Sequence, residues 1–135
     1  MALANHEADN LLSAIKADAA WSRGWTGKGS IVIIADSGTN INHTDLDNQI
    51  HSAKNFIDGS TDVSDINGHG THVAGIIAGK KDGNEFHGVA YDAELVGANV
   101  DYYGNSSANM GQAQNALHDM AKLKSSKAQS GEGIN

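Results

Sequence analysis

An aspartate and a histidine, each followed closely by glycine, are the residues of this sequence best suited to acid–base chemistry. Asp36 follows the apolar run at residues 31–35, and His69 opens the segment HGTHVAG at residues 69–75. A histidine can take a proton from a hydroxyl when a carboxylate holds its other ring nitrogen in the right tautomer. The two residues therefore predict two members of a hydrolytic triad, with His69 as general base and Asp36 as the group that orients it.

The elements around these residues are predicted to hold them rigidly. The apolar run is unbroken, which is typical of a strand buried on both faces of a parallel sheet, so we expect a strand at residues 30–35. Glycines and alanines dominate residues 68–79, which predicts a helix whose small residues allow another backbone to approach closely. His69 then lies in the first turn of that helix, and Asp36 lies at the carboxyl end of a strand, where ligands of such folds gather.

The rest of the pattern predicts an α/β fold with a partial parallel sheet and flanking helices. Apolar residues at helical spacing indicate a helix at residues 11–21 and another around residues 113–123. Two further strands are expected at residues 53–57 and 95–100. Strands and helices that alternate in this way are the pattern of a parallel sheet covered by helices.

Composition excludes several function classes. A chain of 135 residues can bury one core of its own, and its formal charge of -7 without a long Lys/Arg cluster disfavours nucleic acid as a partner. There are no cysteines, which rules out disulfides, thiolate nucleophiles and cysteine-based zinc sites. No apolar run approaches the roughly 20 residues of a transmembrane helix, and the first residues do not have the pattern of a secretory signal.

The segments around Asp36 and His69 resemble the aspartate and histidine signatures of the subtilisin-like serine proteases, or subtilases. Motifs at the family's spacing flank them: IKA at residues 15–17, GWTG at 24–27, HTDL at 43–46 and GVA at 88–90. The resemblance covers residues 11–100 well and residues 101–135 loosely. It implies a subtilisin-like three-layer fold, a serine-type endopeptidase acting on peptides or proteins, and a secreted or cell-surface location.

The nucleophile of that family has no counterpart in the sequence. Subtilases carry their serine in a Gly-Thr-Ser-Met-Ala segment far downstream of the histidine, and these 135 residues contain no such segment. We therefore expect residues 1–135 to be the N-terminal portion of a subtilisin-like catalytic domain, inactive by itself. A parallel sheet cut partway exposes an apolar edge, so self-association through that edge is expected.

The resemblance implies two further sites. Many subtilases bind structural calcium near this helix, and the matching positions here are the carboxylates of Asp45 and Asp82 and the backbone carbonyls of Lys80, Asn84 and Phe86. Oxygen ligands suit Ca²⁺, although residues 80–85 could equally form a charged surface hairpin. Subtilases also pair the substrate backbone with an edge strand, which places substrate binding at Gly104, Asn105 and Ser106; a plain surface loop is the alternative.

Two other function classes remain open at this point. A degenerate subtilase could keep Asp36 and His69 without a serine and act as a non-catalytic binding module. A small metal-binding α/β domain could use His69 and His72, which are three residues apart on the predicted helix. No third ligand is obvious, and the second histidine of this motif is structural in subtilases.

Overall fold

A computed structural model describes residues 11–83, 87–100, 111, 114–119, 121 and 122 of the chain. Its strands are β1 (Ile31–Asp36), β2 (Ile50–Asn55) and β3 (Glu94–Asn99), and its helices include α1 (Ala17–Ser22) and α2 (His69–Ala78), with a 3-10 turn at Thr44–Leu46. Residues 11–14 are also helical, as are residues 111, 114–119, 121 and 122 in the region of the helix predicted around 113–123. The strands form a parallel sheet in the order β1-β3-β2. The predicted α/β fold with a parallel sheet is therefore confirmed.

The strand register brings the three carboxyl ends to one edge of the sheet. Asp36 and Asn55, at the ends of β1 and β2, both pair with Asn99 at the end of β3. Two backbone bonds continue the pairing past the strand ends: Val100 donates to the carbonyl of Asp36, and Phe56 donates to that of Asn99, both at 2.9 Å. The backbone at Asp36 is thus held by hydrogen bonds to β3 and to the residue that follows it.

The main core lies between the sheet and α2. Alternate residues of a strand point to the same face, so Val32 and Ile34 of β1 both reach this core. Its buried members are Ile34, Leu46, Ala74, Ala78, Ala93 and Leu95. Alanines supply the α2 side of the interface, which lets the helix axis lie close to the sheet. The close packing fixes the start of α2 relative to the end of β1.

The other face of the sheet is covered less completely in the described part of the chain. A small cluster of Ala98, Val100 and Ala116 packs there, with Ile33 and Phe56 against it. Ala35, which shares a face with Ile33, is exposed. The prediction that the whole run is buried on both faces is therefore wrong at Ala35, while Ile31 and Ile34 are buried.

Two predicted elements differ in detail. The helix expected at residues 11–21 breaks at residues 15 and 16, because Lys16 takes a left-handed conformation with φ 58°. β2 begins at Ile50 and ends at Asn55, earlier than the predicted 53–57 at both ends. It ends there because the side chain of Asn55 accepts a hydrogen bond from the amide of Ile57 at 2.8 Å and turns the chain. None of the helices in the described ranges has the length and apolar character needed to cross a bilayer.

Candidate active site

Asp36 and His69 are in direct contact. Asp36 is the last residue of β1 and His69 the first of α2, and Nδ1 of His69 lies 2.7 Å from Oδ1 of Asp36. The carboxylate is 19% exposed, whereas the imidazole is 65% exposed. With Nδ1 donating to the carboxylate, Nε2 is the nitrogen that can accept a proton. This is the arrangement that a histidine general base requires.

The turn after β1 fixes the Asp36 carboxylate. The backbone amide of Ser37 donates to Oδ1 of Asp36 at 2.7 Å, so this oxygen faces two donors. The turn continues through Gly38, whose φ is 124°. A Cβ on Gly38 would lie 2.6 Å from the carbonyl oxygen of Val63, so the turn leaves no room for a side chain. The strand end and the turn together hold the carboxylate in one orientation.

The first turn of α2 is capped by side chains that come from outside the helix. Its N-cap residue is Gly68, which has no side chain to cap with. The amide of Gly70 donates instead to Oγ of Ser37 at 3.0 Å, and the amide of Thr71 donates to Oδ2 of Asp65 at 2.7 Å. Both are amides that lack a partner within the helix, so these bonds stabilise the segment that carries His69.

Asp65 is a residue of this site that the sequence reasoning missed. Its carboxylate accepts hydrogen bonds from Ser37 Oγ, the Gly68 amide, the Thr71 amide and the Thr71 hydroxyl, at 2.8, 2.9, 2.7 and 2.6 Å. Partial burial raises the pKa of the Asp65 carboxyl, but the bonds from Thr71, Ser37 and Gly68 together hold the pKa below its ordinary value. The available signal was an acidic residue just upstream of a glycine N-cap.

His72 lies apart from the Asp36 contact. It lines an open cleft of about 440 Å³ beside α2, together with residues that include His43, Asp45 and Asp65. Within the described residues, no three His, Cys, Asp or Glu side chains are placed so that they could hold a metal ion. The pair His69 and His72 therefore gains no third ligand from the described part of the chain.

The positions predicted to bind calcium are only partly described. The amide of Lys80 donates to the carbonyl of Asp45 at 2.8 Å, which brings the two predicted segments together. The ammonium of Lys80 lies 3.8 Å from the carboxylate of Asp82, so a cationic side chain already faces that oxygen. Asn84 and Phe86 lie outside the described residues, and calcium binding stays a prediction.

The predicted substrate-binding residues Gly104, Asn105 and Ser106 also lie outside the described residues. Their pairing with a substrate backbone therefore stays a prediction. What the described residues contain is the contact between Asp36 and His69 and the bonds that hold these two side chains.

Comparisons with known proteins found a matching family, similar sequences and similar structures. The model of the Subtilase family matches residues 27–129. The chain is 37% identical over 109 residues to an extracellular serine protease of Serratia marcescens, and 45% identical over 89 residues to the major intracellular serine protease of Bacillus subtilis (strain 168). Among solved structures, a cold adapted subtilisin-like serine proteinase shares 34% identity with a TM-score of 0.55.

The matched regions are a minor part of these proteins. The alignments cover 78% and 63% of this chain but only 10% and 28% of the Serratia and Bacillus proteases. For the solved structure, the match covers 67% of this chain and 32% of the other. This chain therefore spans less than a third of the length of each of the three.

Proposed function

This chain belongs to the subtilase family, and from that membership we propose that Asp36 and His69 are the acid–base pair of a serine-type endopeptidase. The observation that supports the assignment is the 2.7 Å contact between Nδ1 of His69 and Oδ1 of Asp36. A carboxylate on Nδ1 leaves Nε2 to face the nucleophile, which is the division of roles in a Ser-His-Asp triad.

The proposed reaction is hydrolysis of a peptide bond in two proton-coupled steps. As a serine oxygen attacks the peptide carbonyl, Nε2 of His69 takes the hydroxyl proton and then gives it to the leaving amine. Water next attacks the acyl-enzyme, with His69 taking its proton and returning it to the serine. Asp36 stays ionised throughout, keeps the proton of the ring on Nδ1 and stabilises the transient imidazolium.

We propose that the serine comes from sequence outside these 135 residues. The Gly-Thr-Ser-Met-Ala segment of subtilases is absent from them, and this chain aligns with a small fraction of its relatives. Residues 1–135 alone should therefore hydrolyse no peptide. A secreted or cell-surface location is proposed from the Serratia relative, which is named as extracellular, whereas the Bacillus relative is named as intracellular.

A chimeric protease tests the assignment. Residues 27–129 of this chain, which match the family model, replace the corresponding segment of the major intracellular serine protease of Bacillus subtilis. The chimera then combines Asp36 and His69 with a serine segment, and it should cleave a chromogenic peptide. His69→Ala should reduce kcat by about 10⁶, the loss expected when the base of this triad is removed.

His118→Ala is the control, because His118 is an exposed histidine outside the segments that carry Asp36 and His69. Its kcat should stay within about twofold of the unmodified chimera, since surface substitutions usually have small effects. An active chimera that keeps its rate after His69→Ala would disprove the assignment. Equal loss in His69→Ala and His72→Ala, together with bound zinc, would favour the metal-binding alternative instead.

A further inference from the structure

The carboxylate of Asp65 is hydrogen-bonded to the two segments that carry Asp36 and His69. We propose that Asp65 is a positioning residue for the acid–base pair, acting through Ser37. Its role deepens the proposed function and rests on it. The bonds involved join β1, the loop before α2 and the first turn of α2.

On the histidine side, Asp65 accepts hydrogen bonds from residues both before and after His69 in the chain. Oδ1 accepts from the amide of Gly68 at 2.9 Å, and Oδ2 accepts from the amide and hydroxyl of Thr71 at 2.7 and 2.6 Å. His69 is therefore held between two points that are bound to one rigid carboxylate. These bonds alone would also be explained by an ordinary helix cap.

On the aspartate side, Ser37 provides the link that a helix cap does not need. Its hydroxyl donates to Oδ1 of Asp65 at 2.8 Å and accepts from the amide of Gly70 at 3.0 Å. The amide of the same serine donates to Oδ1 of Asp36 at 2.7 Å, on the oxygen that contacts His69. Ser37 is thus bonded at once to Asp36, to Asp65 and to α2.

The negative charge of Asp65 and the number of hydrogen bonds that it accepts both favour a carboxylate at this position. Four donors fill the acceptor positions of the two oxygens, so an amide at this position would direct its NH₂ group at an N–H or O–H donor. The negative charge also lies beside the N-terminal turn of α2, where it is favourable. Asp65→Asn keeps the shape of the side chain and disrupts the bonding pattern.

The test reads the tautomer of the His69 ring in the full 135-residue chain. Long-range ¹H–¹⁵N spectra distinguish the Nδ1–H from the Nε2–H form of a neutral imidazole, and His69→Ala assigns the signal among the seven histidines. The wild type should be in the Nδ1–H form, since that nitrogen faces Asp36. Asp65→Asn and Ser37→Ala should each lose this preference and give a mixture of both forms.

Asp62→Asn is the control, because Asp62 lies in the same loop and accepts two bonds from Ser64, at 3.0 and 2.6 Å. It should keep the wild-type tautomer. Circular dichroism and amide chemical-shift dispersion check that each variant is folded. If Asp65→Asn does not fold, Ser37→Ala alone tests the positioning role.

The outcomes separate this role from the proposed function. If Asp65→Asn and Ser37→Ala both keep the Nδ1–H form, the positioning role is wrong and the proposed function stands. If only Asp65→Asn loses it, Asp65 is a helix cap and the link through Ser37 is refuted. If the wild type itself lacks the Nδ1–H form, the contact between Asp36 and His69 fails, and the proposed function fails with it.

Discussion

Gly70 of α2 lies directly against the carbonyl of Gly38 in the turn after β1. A Cβ at Gly70 would overlap the Gly38 oxygen and would lie 3.2 Å from Cβ of Asp36. The helix therefore approaches the strand end more closely than any side chain at position 70 would allow. This approach lets the first residue of α2 reach the last residue of β1.

Gly70→Ala should destabilise the chain and separate Asp36 from His69. The added methyl group must displace backbone, and overpacking of this kind costs about 1–3 kcal/mol. Chemical denaturation measures the free energy of unfolding, and the His69 tautomer measures the contact. Gly75→Ala is the control in the same helix, because a Cβ there meets nothing within 4 Å. It should stabilise the chain by up to about 1 kcal/mol; equal destabilisation by both variants would contradict the steric explanation.

Asp36→Asn should remove catalysis from the chimeric protease without unfolding it. An asparagine at position 36 can still bond His69, but its amide favours the wrong tautomer of the ring. We expect kcat to fall by about 10⁴, as the same change does in other serine proteases. Steady-state kinetics on a peptide substrate measures the loss. Asp62→Asn is the control, because the Asp62 carboxylate accepts its described hydrogen bonds from Ser64, and it should leave kcat unchanged. If Asp36→Asn keeps the rate of the unmodified chimera, the assignment is wrong.

The lowered pKa of Asp65 predicts how stability depends on pH. The folded pKa is below the ordinary value of 3.8, so the unfolded chain binds more protons as the pH falls through this range. The stability that Asp65 contributes is complete above about pH 4 and is lost as the pH falls through the folded pKa. The free energy of unfolding measured with urea should therefore fall more steeply below about pH 4 for the wild type than for Asp65→Asn. If the free energy of unfolding falls equally with pH in both proteins, the hydrogen bonds to Asp65 do not lower its pKa in the folded chain.

The contact between Asp36 and His69 could be predicted from sequence because each residue lies in a short local motif. Asp36 follows an apolar strand, and His69 opens a helix of small residues, so the strand-end and helix-start positions follow from the pattern. The network through Asp65 could not be predicted in the same way. Its bond to Ser37 joins two residues that, unlike Asp36 and His69, do not stand out by type or spacing as partners in acid–base chemistry.

The errors in the predicted elements have local causes that composition does not reveal. Lys16 breaks an otherwise good helical pattern by adopting a left-handed conformation, which lysine seldom does. β2 carries the polar residues His51, Ser52 and Lys54, so its pattern does not indicate a strand where the sheet places one. Pairing with β3 overrides the weak local preference.

We propose that calcium stabilises the chain through the predicted Asp45 and Asp82 site. At a free concentration 100 times its Kd, a bound ion would add about 2.7 kcal/mol to the free energy of unfolding. Thermal unfolding with millimolar Ca²⁺ and with chelator measures the difference. Asp82→Asn should remove the increment, whereas Asp58→Asn, whose carboxylate bonds only within its own turn at Ser60 in the described contacts, should keep it. Isothermal titration without heat at millimolar calcium would refute the site.

We also propose that the chain self-associates through the edge of β1. In the described sheet β1 is an outer strand, bonded to β3 on one side, and Ala35 on it is exposed. An open apolar edge tends to pair with another chain, and a lysine on such a strand opposes this pairing. Light scattering should detect dimers or larger species that Ala35→Lys reduces. Ala19→Lys adds the same charge at an exposed position of α1 and should leave the association unchanged. A monomer at all concentrations would contradict the proposal, and equal effects of the two lysines would assign the association to net charge rather than to the strand edge.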